Sequence, residues 1–414
     1  MRFPESSITL VLAAFILPGI ALAVDPAWTA PGGSPVVISA DGGTVLSDGD
    51  IFSLYDAGGT QLWRGYGGSY AQSRGDIYSP LAITADGMYS VLGSNQGLLY
   101  VDRTQRVFWQ DSELHPIDDL SLSPDENYVA SVAQGLVSVY TRGGDVVWRN
   151  DTYQDVKYVG ISLNGLLTVA AGTDNIIHAY NQTGFELWNY TTPGIHGIRL
   201  SPADSNIIAS SDYTLVCLHP SGKLLWKFYT GDQIRDYAIS RDGSSVAAGT
   251  QGGRLVLVDR NGKEVFSSQL GNWVNAVSLS RDGSLVAAGS TDRSVYLFDR
   301  KGQLLFSDLT GSIVRGVALS SDGSAMAAAS DMVYYYDLKG SPPTVSTAAT
   351  PTPVVAMPPP AAMTTRPVVP TGTPPVTPTP TEAVPGETPT PESGSGPLAV
   401  LALGLGAVWI LKKN

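Results

Sequence analysis

Apolar residues fall along this chain in short runs, each closed by a turn rich in Gly, Asp, Asn or Ser, and no stretch keeps a helical period. Residues 274–306 show the pattern. Val274–Leu279 alternates apolar and small side chains, and Leu285–Ala288 is a small-residue run. Val295–Phe298 and Leu304–Phe306 follow, separated by the turn Asp299-Arg300-Lys301-Gly302. Four short strands are predicted, with Asp-Gly and Asn-Gly pairs supplying the positive φ that tight turns need.

The pattern recurs. Segments 238–266, 278–306 and 318–340 are close copies of one unit. A turn Asp marks each unit at Asp41, Asp86, Asp125, Asp204, Asp242, Asp282 and Asp322, with Asn164 in the remaining one. Four strands in a repeat of about 40 residues is the signature of a propeller blade. A solenoid of that period would need polar capping units at both ends. A bulky residue marks the fourth strand of seven units: Trp63, Trp109, Trp148, Trp188, Trp226, Phe266 and Phe306. The eighth unit stops after its third strand. Trp28 precedes Asp41 at nearly the interval that separates the other bulky residues from the next turn. The segment Asp25–Ala30 is therefore expected to complete the last blade and remove the exposed edges. The expected fold is all-β, an eight-bladed β-propeller over 24–340, with seven blades the alternative count. Ala247–Gly249, Ala287–Gly289 and Ala327–Ala329 fall at one place in their units, where blades converge.

The ends differ in composition. Residues 1–23 read as a signal peptide, with Arg2, an apolar stretch and Ala21-Leu22-Ala23. An uncleaved anchor is the alternative. Residues 341–396 are rich in Pro, Thr and Ala and are expected to form a disordered, extended stalk suited to O-glycosylation. Residues 397–411 are an apolar run ahead of the basic tail 412–414. As a helix that run reaches about 22 Å, short of the roughly 30 Å hydrocarbon core, so spanning requires local thinning and snorkelling lysines. The order of small polar motif, apolar helix and basic tail resembles the C-terminal sorting signals of archaeal surface proteins. That resemblance implies a membrane tether, either a retained transmembrane helix or a lipid replacing it. Together the ends imply an extracellular, cell-surface location.

Charge and chemistry narrow the options further. The net charge of −12 argues against binding nucleic acid through its phosphates. The single Cys217 excludes an internal disulfide and sits in an apolar strand, as a structural thiol does. His115, His178, His196 and His219 match no short metal-ligand spacing, so no metal is expected. Asn150, Asn181 and Asn189 each begin an Asn-x-Thr sequon and are glycosylation candidates.

Residues 123–131 and 280–290 resemble the second-strand turn of WD-repeat propellers. Residues 258–266 and 219–226 resemble the hairpin of pyrroloquinoline-quinone-type repeats, found in quinoprotein dehydrogenases and in outer-membrane assembly lipoproteins. The resemblance covers 28–340 and implies fold more than activity. A chain with one Cys cannot form the Cys-Cys pair of quinoprotein dehydrogenases, so no cofactor is expected.

One site stands out. After the first-strand apolar positions Ile117, Val156, Ile234, Val274 and Val314 come Asp118, Lys157, Arg235, Asn275 and Arg315, with His196 close by in the fifth unit. These are expected to ring one mouth of the channel. They suit a partner-binding module for another surface protein, a glycan or an envelope polymer. Two alternatives remain: a carboxylate-dependent hydrolase or lyase using Asp118, Asp119 and Asp236, or a structural surface-layer component.

Overall fold

The computed structural model describes residues 25–49, 51–66, 80–94, 96–151 and 156–339. These form eight four-stranded sheets, all antiparallel, and one short 3-10 turn at Leu163–Gly165. The protein is an all-β, eight-bladed propeller. The segments expected as signal (1–23), stalk (341–396), apolar helix (397–411) and tail (412–414) lie outside the described residues.

Blades are numbered from the sheet that begins at Val36–Ile38. The eighth consists of Gly316–Leu319, Ala325–Ala329 and Val333–Asp337, completed by Trp28–Ala30. Trp28 pairs with Tyr335, Thr29 with Tyr334 and Ala30 with Val333, and Ala27 N donates to Tyr335 O at 2.7 Å. The N-terminal strand thus closes the ring as expected, and seven blades are excluded. In the seventh blade the strands run a little longer than the apolar runs, to Leu285–Ser290, Ser294–Asp299 and Leu304–Leu309.

The marker Asp is turn chemistry. Ser280 Oγ donates to Asp282 Oδ1 at 2.9 Å and accepts from Leu285 N at 3.0 Å, while Asp282 Oδ1 accepts from Ser284 N at 3.0 Å. The same hydroxyl–carboxylate pair closes the turns at Asp41, Asp86, Asp125, Asp242 and Asp322. Asn164 takes the turn with φ 61° instead. At Asp204 one extra residue separates it from Ser201. The carboxylate turns to Asn206 (3.2 Å to N), and Ser201 Oγ has no partner among the described residues.

Blades lock to one another at two radii. At the periphery, Trp226 lies under Gly262 of the next blade, whose φ is 75°. A Cβ at Gly262 would sit 2.7 Å from Trp226 Cδ2, and Trp226 Nε1 donates to Arg260 O at 2.8 Å. Trp28, Trp109 and Trp188 repeat this on Ala57, Arg142 and Pro220. The second blade has Gln105 in place of the glycine, and Trp63 Nε1 finds no partner among the described residues. Nearer the axis, a Cβ at Gly249 or Gly289 would lie 2.5 Å from Val274 or Val314, so these small positions are set by close approach between sheets. Amide hydrogen bonds also join successive turns, from Asp242 to Arg281, Ser321, Ala40 and Ala85. Ala85 N ends the series on Glu126 Oε1 at 2.6 Å. The equivalent residue of the third blade, Pro124, has no N–H to carry it on.

Candidate ligand face at the channel mouth

Successive first strands approach one another, which places them innermost. Their leading residues Ile117, Val156, Ile195, Ile234, Val274 and Val314 are buried between blades. The next residue in each is released to the mouth. Lys157 Nζ pairs with Asp118 Oδ1 of the preceding blade at 3.1 Å, and Asp118 Oδ2 accepts from Gln134 N at 3.0 Å. His196 Nε2 meets Asp212 Oδ1 at 2.8 Å. The Arg235 guanidinium lies 5.4 Å above the Trp273 ring. Asn275 Nδ2 donates to Val314 O at 3.0 Å. Arg315 is exposed, and its guanidinium has no partner among the described residues. The fold therefore joins Asp118 to Lys157, sets His196, Arg235 and Asn275 at equivalent places with separate partners, and leaves Arg315 exposed there.

Inside the mouth the innermost strands turn an unpaired edge to the axis, and side chains of the preceding blade cap it. Asp119 Oδ2 accepts from Val159 N at 3.0 Å and Asp236 Oδ2 from Val277 N at 2.9 Å. Ser278 Oγ accepts from Leu319 N at 3.0 Å. Arg199 reaches Asp236 Oδ1 at 3.3 Å and lies 5.0 Å over the Tyr237 ring. Half of the Arg199 side chain is exposed. Burial pushes the Asp119 carboxyl up to about 7, against the amides of Val159 and Leu120 and the charge of Arg199. Burial also raises the Asp236 carboxyl although Arg199 pulls the other way. The guanidinium stays charged, because Asp236, Tyr237 and Asp119 together outweigh its own desolvation. The sequence reading missed Arg199. It stands in a column otherwise filled by Val37, Ala82, Ser121, Gly160, Ala238, Ser278 and Ala318, and that break in a column of small and uncharged residues was its signal.

The remaining candidates are accounted for locally. His178 is buried between Asp174 (3.1 Å) and Glu186 (3.0 Å), a packing role. His219 Nδ1 meets Ser221 Oγ at 2.8 Å within a hairpin. Burial pushes the Cys217 thiol up to about 12, as for a structural cysteine. Asn181 Oδ1 holds its turn by accepting from Thr183 N (2.9 Å) and Phe185 N (3.0 Å). Asn189 is exposed, and Asn150 Nδ2 donates to Gly184 O at 3.2 Å. Among the described residues no group of three His, Cys, Asp or Glu side chains is placed to hold a metal ion.

Comparison with known proteins adds two matches. A family model described as a beta-propeller protein matches residues 157–265. The model for the WD domain, G-beta repeat, matches residues 263–299. No curated protein matches the chain.

Proposed function

We propose that this chain is an extracellular, membrane-tethered propeller that binds or scaffolds another surface protein, a glycan or an envelope polymer, with the strand-start mouth as its recognition face. One observation carries the reading. In six blades the repeat fixes a buried apolar residue at the first-strand start yet leaves the next position free, and there stand Asp118, Lys157, His196, Arg235, Asn275 and Arg315. A rigid scaffold offering a variable polar ring is the arrangement on which binding sites are built. The signal-like start, the Pro/Thr-rich stalk and the apolar end support the location. The acidic net charge supports partners other than nucleic acid. The docking of Trp226 on the Asp259–Lys263 hairpin supports the likeness to pyrroloquinoline-quinone-type repeats, used here without the quinone.

The hydrolase or lyase alternative is favoured by one feature, the near-neutral Asp119 carboxyl. Against it, both Asp119 oxygens accept from main-chain amides, of Val159 and Leu120, and Asp118 and Asp236 are each paired with a cation.

The test is binding of the full chain, in a sugar-free zwitterionic detergent, to isolated cell envelopes across a salt series. The triple variant Lys157→Ala, Arg235→Ala, Arg315→Ala keeps its fold, since such surface changes cost less than about 0.5 kcal/mol each. It loses affinity for an anionic partner at low salt. High salt produces the same loss in the wild type, because exposed charges are screened beyond about 10 Å at 0.1 M. Equal binding by wild type, the triple variant and Trp273→Ala at every salt removes the mouth as the recognition face.

A further inference from the structure

Three aromatic side chains on this face are not required by the repeat. Trp273 immediately precedes the first strand of the seventh blade and is 40% exposed. Pro116, Gln233 and Ile313 occupy that place in other blades. Tyr229 ends the fourth strand of the fifth blade and is 66% exposed. Ser112, Thr191 and Gln269 stand there elsewhere, and only Tyr66 is also aromatic. Tyr213, 47% exposed, forms the hairpin beside it, with ring centroids 6.4 Å from Tyr229. The three are joined into one surface. Thr230 N donates to Tyr213 O at 2.8 Å and Ile234 N to Asp212 O at 2.7 Å, which brings the fifth-blade hairpin against the sixth blade. Arg235 follows Ile234 and lies over Trp273 of the seventh.

We infer that this surface, from Tyr229 and Tyr213 to Trp273, binds a neutral oligosaccharide. The inference deepens the proposed function and rests on the mouth being the recognition face. Large rings left in water by a fold that does not need them mark contact sites. The electron-rich face of such a ring attracts the polarised C–H face of a pyranose. Planar amides stand beside the rings. Asn272 Nδ2 and the side-chain amides of Gln233 and Gln251 have no hydrogen-bond partner among the described residues. Each amide offers a donor and an acceptor to sugar hydroxyls. The His196 ring is paired with Asp212 at 2.8 Å, and the Arg235 guanidinium lies 5.4 Å over Trp273. With Asp232 and Asp212 present, a polyanion gains little here, which selects a neutral ligand. Several rings in one surface select a chain of sugars over a single residue.

The test uses the full chain in the same detergent, titrated with neutral hexose oligosaccharides (cello-, malto- and mannohexaose) and with an acidic oligogalacturonate. At least one neutral oligosaccharide binds, with an affinity little changed between low and high salt. Trp273→Ala weakens it tenfold or more, as loss of a central aromatic anchor does, and Trp273→Phe restores most of it. Unchanged melting temperatures show that the variants fold. Periodate treatment of envelopes, which destroys vicinal diols, abolishes their capture by the wild type. Absence of binding to every neutral oligosaccharide overturns the inference, as does binding indifferent to Trp273→Ala. Envelope binding that survives periodate, is lost on protease treatment and still falls in the triple variant also overturns the sugar while leaving the mouth in place. Equal envelope binding by wild type, the triple variant and Trp273→Ala removes the mouth itself.

Discussion

Closure of the ring rests on Trp28, and Trp28→Ala is its direct test. The indole stacks on Tyr335 at 5.0 Å with the planes 5° apart, and contacts Tyr55 of the first blade at 5.6 Å. It lies under Gly59, and its Nε1 donates to Ala57 O at 2.9 Å. Truncating a core Trp to Ala costs about 3–5 kcal/mol. Trp28 is partly exposed, so the lower end applies, about 3 kcal/mol including the lost hydrogen bond of about 1 kcal/mol. A domain of this size moves by about 2 °C per kcal/mol, which gives a fall of about 6 °C. The assay is thermal unfolding of the full chain followed by circular dichroism, with Trp148→Ala as the benchmark. Trp148 makes the equivalent contact under Gly184, with Tyr180 at 5.6 Å, but joins two blades continuous in sequence. The two variants are expected to fall by similar amounts. A Trp28→Ala melting temperature within about 1 °C of wild type, beside a clear fall for Trp148→Ala, would refute the reasoning. It would mean that the eighth blade holds without its N-terminal strand.

Three further outcomes follow. The Asp119 carboxyl is raised from 3.8 to about 7 in the folded protein, so the fold binds an extra proton between those values and loses stability as pH rises through 7; Asp119→Asn should flatten the stability profile from pH 5 to 8 measured by urea unfolding, and an unchanged slope counts against it. Asp282 is held low by the hydroxyl and amide of Ser284, so its contribution is present above pH 4 and lost as pH falls below it; Asp282→Ala should cost about 1–2 kcal/mol at pH 7 and less at pH 3, and an equal loss at both pH values contradicts the turn assignment. Protease added to intact cells should cut within 341–396 and release the propeller, whereas digestion only after lysis reverses the proposed topology.

Most of the architecture could be read from the chain because the constraints that build it are local. A Ser-x-Asp turn needs residues two apart, and its hydrogen bonds at Asp282 or Asp322 follow from that spacing alone. The closure was legible for a related reason: the repeat fixes the distance from each fourth-strand aromatic to the next turn, so Trp28 identified its own blade. Strand ends were less legible, since Ser294 and Ser290 lie inside strands on backbone pairing that polar side chains do not advertise. The site was legible as a column and illegible as a set of partners. Lys157 and Asp118 are one repeat apart, and nothing in either unit says that the pair will meet across blades while Arg315 finds no such carboxylate.

In a repeat protein that asymmetry is also a guide to where function sits. Positions that packing dictates recur, as Val274 and Val314 do against Gly249 and Gly289. Positions that only solvent sees drift among small and polar residues. A large or charged side chain that breaks a column has neither explanation unless the molecule supplies a local partner. Gln105 breaks the hairpin-glycine column, and the cost is visible in the unpartnered Trp63 indole. Arg199 breaks the column of small and uncharged residues and is satisfied by Asp236 and Tyr237, so its departure is internal to the channel. Trp273 and Tyr229 break theirs and remain in water. Their ring contacts, with Arg235 and with Tyr213, leave most of each side chain's exposed face open, so these two departures point outward, to a ligand.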